Sequence, residues 1–307
     1  MRKVLLACGV LAGLGVSVAA VDKNTYVVMT SYDIPTLDPA LAYDAASGSV
    51  IENVYETLLT YKGQSLSEFQ PVLATSWKSA NGGLNYTFTL RKGVKFHNGE
   101  TMACEDAEYS FERALVTNNS GSWVWFLGES LLGTGANAKN NKSVTFAGID
   151  KAVECNAQGQ LVFTLPRKDP AILVKLAFYG AAVIDKSWAV ANGEWSGTEA
   201  DFAAWAGKDL TQGFVHKNAN GTGAYQLVSR SANQTVFRAF DAYWGGKPAL
   251  QNVILSKVED QATRILAMQR GDADSVGIGD RASLAQLRGA PGVRIVDDLP
   301  NLNAPTI

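Results

Sequence analysis

Between Leu84 and Leu115 the chain changes period, and this change constrains the fold more than any other stretch. Tyr86, Phe88 and Leu90 fall on one side, while Asn85, Thr87, Thr89 and Arg91 fall on the other. Strict alternation of this kind predicts a half-buried strand. Turns follow at Lys92-Gly93 and Asn98-Gly99, and Val94 to His97 lies between them. After the second turn, Ala107, Phe111, Ala114 and Leu115 share one face of a helix. A strand followed so closely by a helix marks the chain as mixed α/β.

The remaining elements follow from the same periodicities. Residues 25–30 read as a buried strand ending in Ser31-Tyr32-Asp33-Ile34-Pro35. Pro39 keeps Thr36-Leu37-Asp38 extended. Ile51, Val54, Tyr55, Leu58 and Leu59 recur at helical spacing, which predicts a helix capped by Ser47 or Ser49. Pro71 to Trp77 reads as a short link. Residues 117–142 read as a loop interrupted by Trp123-Val-Trp-Phe-Leu127, and residues 190–220 as loop again. A strand is expected at Leu161–Leu165 and a buried helix from Ala171 to Ala181. Gly221–Ser229 and Gln234–Phe240 form an expected hairpin. From Val253 to Val296 the order strand, helix, strand, helix, strand predicts a parallel sheet, with the last strand at Val293–Val296.

At 307 residues the chain has room for two domains with a sizeable core. Charged residues are 18% and the net charge is −2, so no field exists to gather nucleic acid. Arg2-Lys3, the apolar run Val4–Val18 and the small residues of Val18-Ala19-Ala20 form a secretory signal peptide over residues 1–20. Cys8 reads as part of its apolar stretch rather than a lipid-anchor site. After processing, Cys104 and Cys155 remain, and an exported pair points to a disulfide. Two separate buried thiols are the alternative.

Residues suited to chemistry are sparse. His97 and His216 are the only histidines, and neither has metal-ligand spacing to a partner. No GxSxG, HExxH or phosphate-loop pattern occurs. Pro248 after Gly245-Gly246-Lys247 denies that turn a helix N-terminus, and the acid pairs Glu259-Asp260 and Asp297-Asp298 read as solvated surface. The chain is therefore expected not to be an enzyme, and to use no metal or cofactor.

Several motifs converge on one family. "YTFTLRKGVKFHNGE", "LDPA" with "ETLLTYKG", "YWGGKP" and "TRILAMQRGDAD" resemble the peptide- and nickel-importing members of the extracellular solute-binding protein family 5. Ala224 stands where that family usually has proline. The resemblance implies an α/β periplasmic-binding-protein-like fold of type II, cluster C, with mixed sheets and the final lobe missing. It implies domain I from residues 21–45 and 170–300, and domain II from 46–169. Residues 301–307 would begin a hinge to an absent third lobe, which in the family holds the group gripping a peptide's amine.

The resemblance also implies a function and a site. The function is capture of peptides or a similar small solute and its delivery to ABC permease transmembrane subunits, by a monomer in the periplasm or other extracytoplasmic space. A cleft between lobes holds an extended peptide much as a sheet edge holds a strand. Ser31, Tyr32, Asp33 and Ile34 fall at that cleft; strand-end packing is their structural alternative. Trp123, Trp125 and Phe126 line the wall from the second domain, or pack in its core. Gly223 and Tyr225 face the cleft near the hinge, and Tyr243 and Trp244 pack beneath it. The alternatives are an inactive fragment of such a protein, a ligand-presenting partner of a sensor, or an extracytoplasmic hydrolase.

Overall fold

The computed structural model describes residues 24–296. The signal peptide at 1–20 with its Cys8, the Asp297-Asp298 pair and the hinge segment 301–307 lie outside the described residues.

The chain opens on β1 (Thr25–Thr30) and α1 (Ala45–Val54). β2 (Leu59–Tyr61) and β3 (Phe69–Pro71) pair only with each other. β4 (Ala74–Ala80) and β5 (Asn85–Leu90) form a hairpin whose turn, Asn81-Gly82-Gly83, takes positive φ at all three residues. Next come α2 (Cys104–Thr117), α3 (Val124–Leu131) and α4 (Phe146–Ala152). β6 (Val153–Cys155) and β7 (Leu161–Thr164) complete an antiparallel sheet of order β4-β5-β7-β6. α2 lies across it, with Phe111 edge-on to Phe163 at 4.9 Å and Phe163 edge-on to Phe88 at 5.6 Å.

The short helices α5 (Ile172–Leu176), α6 (Lys186–Ala191) and α7 (Glu199–Trp205) lead out of this layer. The chain then builds β8 (Tyr225–Arg230), β9 (Gln234–Ala239), β10 (Asn252–Lys257), α8 (Gln261–Arg270), β11 (Ser275–Val276) and α9 (Arg281–Leu287). These strands join β1 in a mixed five-stranded sheet of order β11-β1-β10-β9-β8. β10 and β11 flank β1 and run parallel to it, while β9 is antiparallel to both of its neighbours, β10 and β8. α6 and α7 pack on α2, and α5 packs on α3. No helix among the described residues is long and apolar enough to cross a membrane.

Several elements differ from the sequence expectations. α1 is capped by Asp44, whose carboxylate accepts from Ser47 N at 2.8 Å; Ser47 is inside the helix and its hydroxyl accepts from Thr36 N. The helix stops at Val54 because tertiary donors take the next carbonyls: Gly223 N bonds Val54 O and Val183 N bonds Glu56 O. Tyr55, Leu58 and Leu59 are still buried, as their pattern requires, but outside the helix. The expected helix from Ala171 to Ala181 is α5 plus a 3-10 turn at Tyr179–Ala181, interrupted by extended backbone at Phe178. Part of the expected link at 71–77 belongs to β3 and β4. α6 and α7 occupy part of the expected loop between 190 and 220, and residues 293–296 form no strand.

Two covalent or charged features fasten the helical layer. Cys104 and Cys155 are bridged, with Cα atoms 6.0 Å apart, tying the start of α2 to the end of β6 across a separation of 51 residues. Arg113, in the middle of α2 and fully buried, holds Asp38 through both guanidinium NH groups at 3.0 and 2.6 Å, and Glu194 through Nε and an NH group at 3.2 and 2.8 Å.

Two predictions follow from this layer. Replacing both cysteines by serine removes a crosslink over a long loop, a loss of about 3–4 kcal/mol; differential scanning calorimetry should show the melting midpoint falling by roughly 10 °C. Glu112 of α2 is buried beside Glu108 and Asp150; burial first and these neighbours second push its carboxyl up to about 8, with Lys186 opposing them. The native state therefore keeps a proton that the unfolded chain releases near pH 4.5, and stability falls as pH rises from there to about 8. Glu112→Gln should flatten that slope, raising the midpoint by about 5 °C at pH 8 and not at all at pH 4, as read by melting curves across pH.

Candidate functional site

The chain leaves β1 into residues 31–37, and a single guanidinium sets their path. Arg230, at the end of β8, donates to the carbonyls of Ile34 and His216, the latter at 3.1 Å. The His216 carbonyl also accepts from Leu37 N, and its ring Nδ1 lies 2.9 Å from the Thr36 hydroxyl. Asp33 turns back to accept from Ile34 N at 2.8 Å. Burial pulls the Arg230 pKa down, and the nearby Asp33 charge works against that shift.

These contacts open a cavity of about 380 Å³ between α1 and one face of the five-stranded sheet. Tyr32, Asp33 and Ile34 line it together with Tyr225, as do Asn53 of α1 and Leu255 of β10. Its walls are mostly apolar with a few polar groups, the usual make-up of a small-molecule site. The neighbouring Ser31 is exposed and does not line it. A more open groove of about 1030 Å³ runs between α7 and residues 138–146, and none of the residues expected from sequence lines it.

Gly223 is placed differently from the sequence expectation. It is buried against the end of α1, where a Cβ would lie 2.5 Å from Asn53 O. His97 secures this approach. Gly221 N donates to its Nδ1 at 3.3 Å, so the ring proton sits on Nε2 and donates to Gly223 O at 3.0 Å. Burial pushes the His97 pKa down to about 4, with the Gly223 bond opposing, so the ring is neutral in ordinary buffers. Glu56 completes the clamp by accepting from Thr222 at 2.8 Å, Tyr243 at 3.0 Å and Trp244 at 2.8 Å. Burial raises the Glu56 pKa, and these three bonds offset part of that rise. The Arg91 guanidinium lies 3.8 Å from the centre of the Trp244 ring. Tyr243 and Trp244 are thus committed to packing under the segment that carries Tyr225.

The aromatic run divides in two. Trp123 is fully buried, its indole donating to Pro39 O at 2.8 Å, and Gly180 lies so close that a Cβ there would meet the indole at 2.2 Å. The expectation that Trp123 lines a cleft is therefore corrected: the ring has no open face. Trp125 is exposed on α3, and Phe126 is half-buried between it and Phe178. Neither touches the cavity lined by Tyr32 and Tyr225. Ser49 and Asn53, which do line it, escaped the sequence reading; their positions on the polar side of the α1 pattern were the available signal.

The close approach at Gly223 yields a test. Gly223→Ala should cost about 3 kcal/mol or more through overpacking against the α1 backbone, seen as a lower urea midpoint. His97→Ala should destabilise less, by about 1–2 kcal/mol, through loss of the ring's two backbone hydrogen bonds.

A model of the "Bacterial extracellular solute-binding proteins, family 5 Middle" matches residues 68–304. "Heme-binding protein A" of Haemophilus influenzae is 27% identical over 96% of this chain and 52% of its own length. The "Dipeptide-binding protein" of Escherichia coli is 27% identical over 93% of this chain and 50% of its own length. Among solved structures, the periplasmic binding protein DppA from Helicobacter pylori, in complex with the peptide STSA, superimposes with a TM-score of 0.68. That pair is 24% identical over 87% of this chain and 49% of DppA. AppA from Bacillus subtilis, in complex with a nonapeptide, gives a TM-score of 0.68 at 19% identity over 89% of this chain and 47% of AppA. These superpositions identify the mixed-sheet architecture as that of the periplasmic binding proteins. The chain spans about half the length of the relatives it matches. By the extent of the family match, the chain belongs to the bacterial extracellular solute-binding proteins of family 5.

Proposed function

We propose that the chain captures a peptide-like solute outside the cytoplasm and delivers it to the membrane subunits of an ABC importer. The observation that carries this reading is the cavity at the end of β1, where Tyr32, Asp33 and Ile34 meet Tyr225 across the sheet. Relatives named for dipeptides, oligopeptides and glutathione support a peptide-like ligand over the heme or nickel of other relatives. The protein acts as a monomer and a binder, not an enzyme, and its export depends on the signal peptide at residues 1–20.

In this reading residues 21–45 and 170–300 form one lobe around the five-stranded sheet. Residues 46–169 form the second around the antiparallel sheet. Binding would draw lobes together around the solute, and the closed form is what a permease would recognise.

Thermal-shift and calorimetric titration with a panel of di- and tripeptides, hemin and nickel–histidine tests the proposal. A rise in midpoint with at least one peptide, with the peptide recovered intact by mass spectrometry, is the expected result. No shift with any compound, or cleavage of the peptide, would overturn it.

A further inference from the structure

The cavity at the end of β1 has a floor of apolar side chains that is only half covered. β1 and β10 pair with Tyr26 opposite Val253 and Val28 opposite Leu255, and Val253 faces Phe237 of β9. Alternation sends these five side chains to one face of the sheet, and all five line the cavity. Phe237 is buried, but Tyr26, Val28, Val253 and Leu255 are only half-buried. α1 roofs part of this ladder, through Ser49, Val50 and Asn53. At about 380 Å³ the space stands at the small end of ligand pockets.

The principal polar groups of the lining already have partners. Its charged side chains are Asp33 and Lys257. The Asp33 carboxylate accepts from Ile34 N at 2.8 Å and is balanced by the nearby Arg230 guanidinium, and Lys257 is paired with Glu259 at 3.1 Å. The Tyr225 hydroxyl donates to Leu250 O at 3.3 Å. On α1, the Asn53 amide donates to Ser49 O at 2.8 Å and the Ser49 hydroxyl to Ala46 O at 2.7 Å. A charged group entering this cavity would shed water and meet no unpaired counter-charge. An apolar group would instead cover the open part of the ladder and gain by it.

We propose that this cavity is the pocket for one uncharged, apolar side chain of the solute, of the leucine or norleucine class, and that it selects peptides carrying such a residue. The inference rests on the solute-capture reading and names the class of solute. The family resemblance assigns the grip on a peptide's amine to the third lobe, which leaves this end to a side chain. Tyr32 lines the cavity yet stays 53% exposed, so its ring stands at the mouth, against the entering group.

Calorimetric titration with tripeptides Ala-X-Ala tests this, with X running through alanine, aminobutyrate, norvaline and norleucine, and then glutamate and lysine. Affinity should rise about fourfold for each added methylene, and the glutamate and lysine peptides should bind at least about tenfold more weakly than norleucine. Val28→Phe fills the floor, and Asn53→Trp fills the mouth from the exposed side of α1, where folding is not at risk. Either variant should collapse the preference for norleucine over alanine. Equal affinity across the series, or a preference that survives Asn53→Trp, would overturn the pocket while preserving capture. N-acetyl-leucinamide, titrated into isotopically labelled protein and followed by NMR, probes the pocket without a peptide. It should shift the Val28, Leu255 and Asn53 amides, and N-acetyl-lysinamide should not. Those shifts in a protein that ignores every tripeptide would uphold the apolar pocket and overturn capture of peptides. Silence toward the fragment and the tripeptides alike would overturn both.

Discussion

The buried guanidinium of Arg113 is the constraint on which the rest of the packing depends. A fully buried charge is tolerated only with good partners, and Arg113 has a carboxylate on each side in direct hydrogen-bonded contact. The two carboxylates come from distant stretches: Asp38 from the segment between β1 and α1, and Glu194 from the loop between α6 and α7. Each is tied further, Asp38 to Ala40 N at 2.9 Å and Glu194 to Val215 N at 3.2 Å. One side chain of α2 thus sets where the chain enters α1 and where it leaves the helical layer toward β8. Removing either acid would leave Arg113 paired with the other but with buried guanidinium donors unsatisfied, which typically costs on the order of 3 kcal/mol.

From that anchor, the candidate site is placed mainly by hydrogen bonds to backbone groups. Arg230 fixes the carbonyls of Ile34 and His216, His97 fixes Gly221 and Gly223, and Glu56 gathers Thr222, Tyr243 and Trp244. Most of these polar side chains are wholly or half buried, and each has partners, so they rigidify the segments they join. The residues that carry the scaffold are thus distinct from the side chains left open to solvent. Tyr32, Tyr43 and Trp125 remain open to solvent.

Legibility tracked the range of the interactions involved. β5 and α2 were readable because alternation and helical spacing are local properties, and Phe88 and Phe111 are buried as those patterns require. The end of α1 was not readable: the apolar spacing continues through Leu59, but the carbonyl of Val54 is claimed by Gly223 from far along the chain. Trp123 and Trp125 are near neighbours in sequence with opposite fates. Gly180 leaves room for the first indole to bury, whereas the second points outward from α3. The family resemblance singled out Tyr32 to Ile34, which line the cavity, but Ser49 and Asn53 reach the same cavity only through the docking of α1 on the sheet.

The amino-acid sequence by itself determined the class of the chain, its family motifs and the strand and helix that launch the antiparallel layer. Turn residues, alternation and helical spacing act over a few neighbours and need no tertiary contact to be recognised. Only the tertiary structure decided where α1 ends, which tryptophan is buried and which side chains share a cavity. Those outcomes depend on which distant donor reaches a carbonyl first and on whether a missing Cβ leaves space for a ring, and neither is a property of any local stretch of chain.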